Sequence, residues 1–152
     1  FNCRLVAYDP FADLEFAQRK SVNIMPLPEV LAQSDFVSLH LPITPQTQGL
    51  VNQSFLDCMK PGAFLINTAR GELIDEQAVY AALICGHLRG AAIDVFTKEP
   101  PGSDNSLVGL PQVLATPHLG ANSDGATNAM GRLAMQDCLA VLSGKEPQFR
   151  VV

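Results

Sequence analysis

The chain has 152 residues, a formal net charge of −5 and a pI of about 5.0. Apolar residues make up 47 % and charged residues 16 %, the balance of a folded domain with a real core rather than of a disordered chain. An acidic chain without a Lys/Arg run speaks against nucleic acid or an anionic membrane as partner, though a local arginine can still hold a small anion.

Short apolar runs alternate with helical segments. Arg4–Tyr8 reads as a strand that ends at Asp9-Pro10, where proline forces an extended or turning backbone. Ala12–Lys20 suits a helix, Val22–Met25 a short extended piece and Pro28–Gln33 a short helix with proline in its first turn. Phe36–Leu41 is the next strand, stopped by Pro42, and a loop runs from Pro42 to Leu50. Asn52 caps a helix around Ser54–Met59. Pro61-Gly62 turns into the strand Ala63–Asn67. Asp75 caps a helix of about Glu76–Cys85, closed by Gly86 at the left-handed position beyond its end. Arg89–Phe96 and Val113–Thr116 are further strands, separated by a loop marked by Pro100, Pro101, Gly102 and Ser103. Asn122 or Ser123 opens a long helix to about Leu142, with apolar residues at helical spacing and Gly144 after it.

Apolar strands separated by helices predict an α/β fold, a parallel sheet covered on both faces. Such open sheets bind ligands beyond the carboxyl ends of their strands. Those ends carry Asp9, His40, the run Asn67-Thr68-Ala69-Arg70, Asp94 and His118, whereas the strand interiors carry almost no charge. Arg70 follows one strand, Glu99 the next and His118 the last, so all three are expected at one edge of one sheet.

Each residue type brings its own chemistry. A guanidinium grips a carboxylate with two parallel hydrogen bonds, and Gly71 after Arg70 permits a tight turn with close backbone approach. An imidazole exchanges a proton near neutral pH. His118 lies in Thr-Pro-His-Leu-Gly, where Pro117 restrains the chain and Gly120 permits an unusual turn. A glutamate that reaches such a ring fixes its tautomer and favours its protonated form. The plain alternatives are a surface arginine, a structural histidine and a solvated loop glutamate. Asp9 has two readings: a carboxylate for ribose hydroxyls, or Asp-Pro turn chemistry. His40 can simply end a strand, and His87 suits the dipole at the end of the preceding helix. The four cysteines, Cys3, Cys58, Cys85 and Cys138, are too scattered for a metal site or disulfide framework. They read as free, partly buried thiols in a reducing cytosol. No apolar run reaches the roughly 18 residues of a membrane span.

Five segments together resemble one family: LVAYDP (5–10), LHLPITPQTQGLVN (39–52), MKPGAFLINTARGELIDEQAV (59–79), GAAIDVFTKEPP (90–101) and ATPHLGANS (115–123). In this order they resemble the cofactor-binding domain of the D-isomer-specific 2-hydroxyacid dehydrogenases, in particular the phosphoglycerate dehydrogenase-like branch. The resemblance implies a Rossmann-like, doubly wound parallel sheet and an NAD-dependent oxidoreductase acting on a small 2-hydroxy or 2-keto acid, 3-phosphoglycerate among the candidates. It implies that Arg70 holds the substrate carboxylate, that His118 is the acid/base and that Glu99 orients His118. It places Asp9 at the adenine-side ribose, and His40 with the Leu41–Thr47 loop, including Pro42 and Thr47, along the cofactor. Asp94, with the backbone of Thr68 and Ala69, is placed at the nicotinamide carboxamide, and Gly120 near the nicotinamide ring, next to Arg70 and His118.

The family's glycine loop stands about 20 residues ahead of the ribose acid, so it and the first strand are expected ahead of Phe1. Residues 1–146 then form a partial NAD-binding domain. Residues 147–152 form a return segment toward a substrate domain elsewhere in a longer enzyme. A cytoplasmic homodimer is the implied assembly. Some relatives on this scaffold are NAD(H)-sensing corepressors, which makes a binding protein the alternative to an enzyme.

Overall fold

Among the described residues, six short parallel strands carry the fold, in a computed structural model that describes residues 2–150. The chain forms two units, Phe1–Pro117 and His118–Val152.

In the first unit, β1 (Leu5–Ala7) pairs with β2 (Val22–Ile24) across helix α1 (Leu14–Arg19). Helix α2 (Leu27–Gln33) leads to a separate four-stranded sheet in the order β3 (Phe36–Leu39), β4 (Ala63–Asn67), β5 (Leu88–Ile93), β6 (Val113–Ala115). Every pairing is parallel. The edge is therefore shared by two sheets, and Asp9 stands on the smaller one, because β1 and β3 do not pair.

Helices α3 (Gln53–Cys58) and α4 (Glu76–Ile84) connect the strands of the larger sheet. Their caps follow the sequence: Asn52 Oδ1 accepts the Phe55 N–H at 3.1 Å, and Asp75 Oδ1 accepts those of Gln77 and Ala78. Gly86, at φ 77°, closes α4 in the left-handed conformation that its lack of a Cβ allows. One face of the larger sheet, with Val37, Leu39, Leu65 and Ile93, packs with Leu31 of α2, Phe55 and Leu56 of α3, and Val79 and Leu83 of α4. Each such fully buried leucine contributes about 1.5–3 kcal/mol. The opposite face carries the stacked pair Phe36 and Phe64, ring centroids 5.1 Å apart, and the exposed Leu114.

Several elements differ from the sequence reading in length. Strand β3 stops at Leu39, two residues short, because its last ladder partner is Asn67 and the chain then turns toward Pro42. Strand β5 stops at Ile93, leaving Asp94–Phe96 beyond the ladder, where Val95 and Phe96 are buried. A 3₁₀ turn at Gly71–Leu73 was not expected; Leu73 and Ile74 donate their N–H groups to the carbonyls of Arg70 and Gly71. His87 does not serve the end of its own helix. Its Nε2 donates to the Leu56 carbonyl at 2.8 Å, capping α3 instead. All four cysteines are exposed rather than partly buried.

The second unit is built on α5 (Asp124–Leu142), capped by Ser123, whose Oγ accepts the Ala126 N–H at 3.2 Å. The residues after the helix fold back along it: Asp137 accepts the N–H groups of Gln148 and Phe149 at 2.8 and 3.1 Å. The predicted segment 147–152 is described as far as Arg150; Val151 and Val152 lie outside the described residues.

Candidate active site

Register builds the site. Leu39 pairs with Asn67, Asn67 with Ile93, and Ile93 with Ala115, so four strands end in one row. The next residue of each strand, His40, Thr68, Asp94 and Thr116, steps out at the carboxyl edge. The edge is thus a consequence of aligned strand ends.

Asn67 organises the Arg70 turn. Its side chain is fully buried; Oδ1 accepts the Ala69 N–H at 3.1 Å and Nδ2 donates to the Arg70 carbonyl at 2.8 Å. Its own carbonyl accepts the Asp94 N–H at 3.0 Å, which ties the turn to β5. The exposed Arg70 side chain gives one of its five donors, through Nη1, to the Ala69 carbonyl at 2.6 Å. Gly71 meets the expectation of close backbone approach: a Cβ there would lie 2.1 Å from the carbonyl carbon of Phe96. His40, Leu41, Pro42, Ile43, Ala69 and Arg70 line an open cleft of about 530 Å³.

Asp94 is buried and its Oδ1 accepts the Thr116 hydroxyl at 2.5 Å, so it joins the ends of β5 and β6. Thr47 folds the cleft loop on itself, donating to the Pro42 carbonyl at 2.8 Å and accepting the Thr44 N–H at 2.7 Å. Exposed His40 shares a 2.8 Å hydrogen bond with Ser38 Oγ. Exposed Thr68 stands at the rim. Glu99 lies on an exposed loop, where its Oε1 accepts the Phe96 N–H at 3.1 Å. Asp9 Oδ1 accepts the Phe11 N–H at 2.8 Å, so the turn chemistry is present at an exposed carboxylate.

His118 opens the second unit, and its own backbone is unusual, with φ at 55°. That conformation costs an L-residue about 1–2 kcal/mol. Arg70, Asp94 and Glu99 thus stand on the first unit, His118 and Gly120 on the second.

Asn67 carries no separate role in the sequence, although an asparagine closing the apolar strand Ala63–Asn67 is a signal: a buried amide needs partners. Leu41 and Ile43 were placed only as part of a loop. Among the described residues, no group of three or more His, Cys, Asp or Glu side chains is placed to hold a metal ion, and no helix is long and apolar enough to cross a membrane.

A parallel α/β sheet with an arginine-bearing cleft beyond its strand ends defines a nucleotide-binding α/β domain of the Rossmann type. Residues 1–120 match the family model of the D-isomer specific 2-hydroxyacid dehydrogenase, NAD binding domain, and the chain belongs to that family. It is 42 % identical over 144 residues to a D-3-phosphoglycerate dehydrogenase of Bacillus subtilis, covering 95 % of this chain and 27 % of that protein. A putative 2-hydroxyacid dehydrogenase of Haemophilus influenzae is 49 % identical over 131 residues, 80 % of this chain and 42 % of its own length. The solved structure of D-lactate dehydrogenase with NAD+ from Lactobacillus jensenii superposes with a TM-score of 0.88 at 26 % identity, over 99 % of this chain and 48 % of that one. The chain therefore spans about a quarter to a half of the length of the relatives it matches.

Proposed function

We propose that this domain is the cofactor-binding and proton-transferring part of an NAD-dependent D-2-hydroxyacid dehydrogenase, with 3-phosphoglycerate among its candidate substrates. The observation that carries the reading is the Arg70 turn: a buried asparagine holds the backbone of the turn that presents Arg70 at the wall of an open cleft, on the carboxyl edge of a parallel sheet.

The donor set fits a nicotinamide dinucleotide. Leu41, Pro42 and Ile43 give the cleft an apolar wall, the Thr68–Ala69 backbone and Asp94 lie at strand ends, and Asp9 offers an exposed carboxylate for ribose hydroxyls. When bound, the nicotinamide supplies or accepts the hydride. Arg70 pairs with the substrate carboxylate and orients C2. His118 gives a proton to the carbonyl oxygen of a 2-keto acid, or takes one from the hydroxyl of a 2-hydroxy acid. Glu99 takes the orienting role toward His118. Thr47 and Pro42 shape the cofactor side of the cleft, with His40 at its rim, and Gly120 gives the nicotinamide room. The enzyme assembles as a cytoplasmic homodimer.

The test uses the full-length protein with NADH and a panel of 2-keto acids, followed at the nicotinamide absorbance. Turnover of at least one acid is expected, with a loss of roughly 10²–10⁴-fold in His118→Ala. NADH binding without turnover across the panel overturns the enzyme reading in favour of a sensor of NAD(H). Near-normal turnover in His118→Ala removes that residue from the chemistry.

A further inference from the structure

Glu76 stands outside the chemistry described above, yet it meets the loop that carries Glu99. It is the first residue of α4, half-buried behind its Asp75 cap. Its Oε1 accepts the Thr97 N–H at 3.3 Å, and its Oε2 accepts from Asn105 Nδ2 at 2.7 Å. Asn105 Oδ1 in turn accepts the Leu107 N–H at 2.9 Å, and Leu107 is fully buried in the core. One carboxylate thus ties both ends of the Thr97–Asn105 loop to a helix.

The near end of that loop is crowded with partners. The Phe96 N–H is held by Glu99, the Thr97 N–H by Glu76, and the peptide between them packs on Gly71 beside Arg70. Moving Thr97 shifts the Phe96–Thr97 peptide and the Phe96 Cα bonded to it, and through that Cα the Phe96 N–H that Glu99 accepts. Such a loop is otherwise exposed and turn-rich, with few apolar contacts of its own.

We propose that Glu76 is a positioning residue for Glu99: by strapping Thr97 and Asn105 to α4 it fixes the loop on which Glu99 stands. The catalytic consequence rests on the dehydrogenase reading; the strap itself does not.

Donor and acceptor logic gives a sharp test. In Glu76→Gln one amide oxygen replaces one carboxylate oxygen, and the amide nitrogen cannot accept. Whichever way the amide turns, one donor faces a donor, either at Thr97 N–H or at Asn105 Nδ2. Asn105 cannot turn over to compensate, because its Oδ1 is committed to Leu107. Asn105→Asp added to Glu76→Gln restores the match: the introduced amide donates, and the introduced carboxylate accepts from it and from the Leu107 N–H.

The experiment measures amide hydrogen exchange and steady-state kinetics on the full-length parent, Glu76→Gln and Glu76→Gln/Asn105→Asp. Exchange at Phe96, Thr97 and Leu107 is expected to quicken about tenfold in the single variant and to return toward the parent in the double. The kcat for the best keto acid is expected to fall about 10–100-fold in the single variant, with the KM for NADH nearly unchanged, and to recover in the double. Unchanged exchange, or exchange that quickens and does not recover, overturns the strap. Quickened Phe96 exchange with an unchanged kcat overturns the positioning role. A parent without keto-acid turnover defeats the dehydrogenase reading alone, because Phe96 exchange still reports whether Glu76 governs the hold of Glu99.

Discussion

Arg70 and Asp9 each follow a parallel strand, and their turns are held in very different ways. Strand β4 has neighbours on both sides, and the fully buried Asn67 at its end bonds the two residues of the turn and the first residue after β5. Among the described residues strand β1 pairs only with β2, and Asp9 is held by its own Asx turn among the exposed Leu5, Tyr8 and Phe11. The contrast matches the tasks proposed for the two residues. A bidentate grip on a carboxylate fails if the guanidinium is displaced by an ångström. An exposed carboxylate that meets ribose hydroxyls needs only to be present and charged.

The sharpest way to break that contrast is Gly71→Ala. The added Cβ would meet Phe96 C, Thr97 N and Phe96 O at 2.1, 2.3 and 2.4 Å, all of them backbone atoms that cannot swing away. Gly71 is not left-handed, so the cost is one of space alone. About 3 kcal/mol of stability should be lost, read as a lowered urea midpoint, since overpacking against backbone leaves few ways to relax. A midpoint within error of the parent would show that the Arg70 and Phe96 segments are not locked together.

Asn67→Ala comes next. It leaves the Ala69 N–H without its partner, and the Arg70 carbonyl with only the longer bond from the Leu73 N–H, in a half-buried turn, at a cost of about 2 kcal/mol. In the full-length protein the kcat/KM for keto acid should fall as well, whereas the affinity for NADH changes less. Loss of stability with unchanged kcat/KM would mean that the Arg70 guanidinium finds its place without Asn67.

The sequence shows most of what these two predictions use, and the part it hides has a common cause. Local signals were legible: Asn52, Asp75 and Ser123 cap the helices they precede, Gly86 is left-handed, and the strand Ala63–Asn67 has the predicted ends. Each depends on residues within four positions of one another. What was hidden depends on distant partners. His87 bonds Leu56, 31 residues away, and Glu76 reaches Thr97 and Asn105, 21 and 29 residues away. The partner of Gly71 is likewise Phe96, which no spacing rule in the chain indicates. The division of the strands into two sheets is of the same kind, because which strands pair is a long-range choice. The candidate residues stand at strand ends of both sheets, a placement that holds whether or not β1 and β3 pair.

The smallest effect is expected at Asp9, and it sharpens the comparison from the other side. In Asp9→Asn the amide oxygen still accepts the Phe11 N–H, so the Asx turn persists and stability should stay within about 0.5 kcal/mol of the parent. What changes is charge. A carboxylate beside the adenine-side ribose repels the 2′-phosphate of NADP, and at an exposed site a unit charge a few ångströms away is worth about 1 kcal/mol. Removing it should raise the kcat/KM ratio of NADPH to NADH about fivefold in the full-length protein. An unchanged ratio would mean that Asp9 serves only its turn, and that cofactor choice is made elsewhere. A large loss of stability would contradict the comparison itself, since it would make the β1 end as tightly determined as the end of β4.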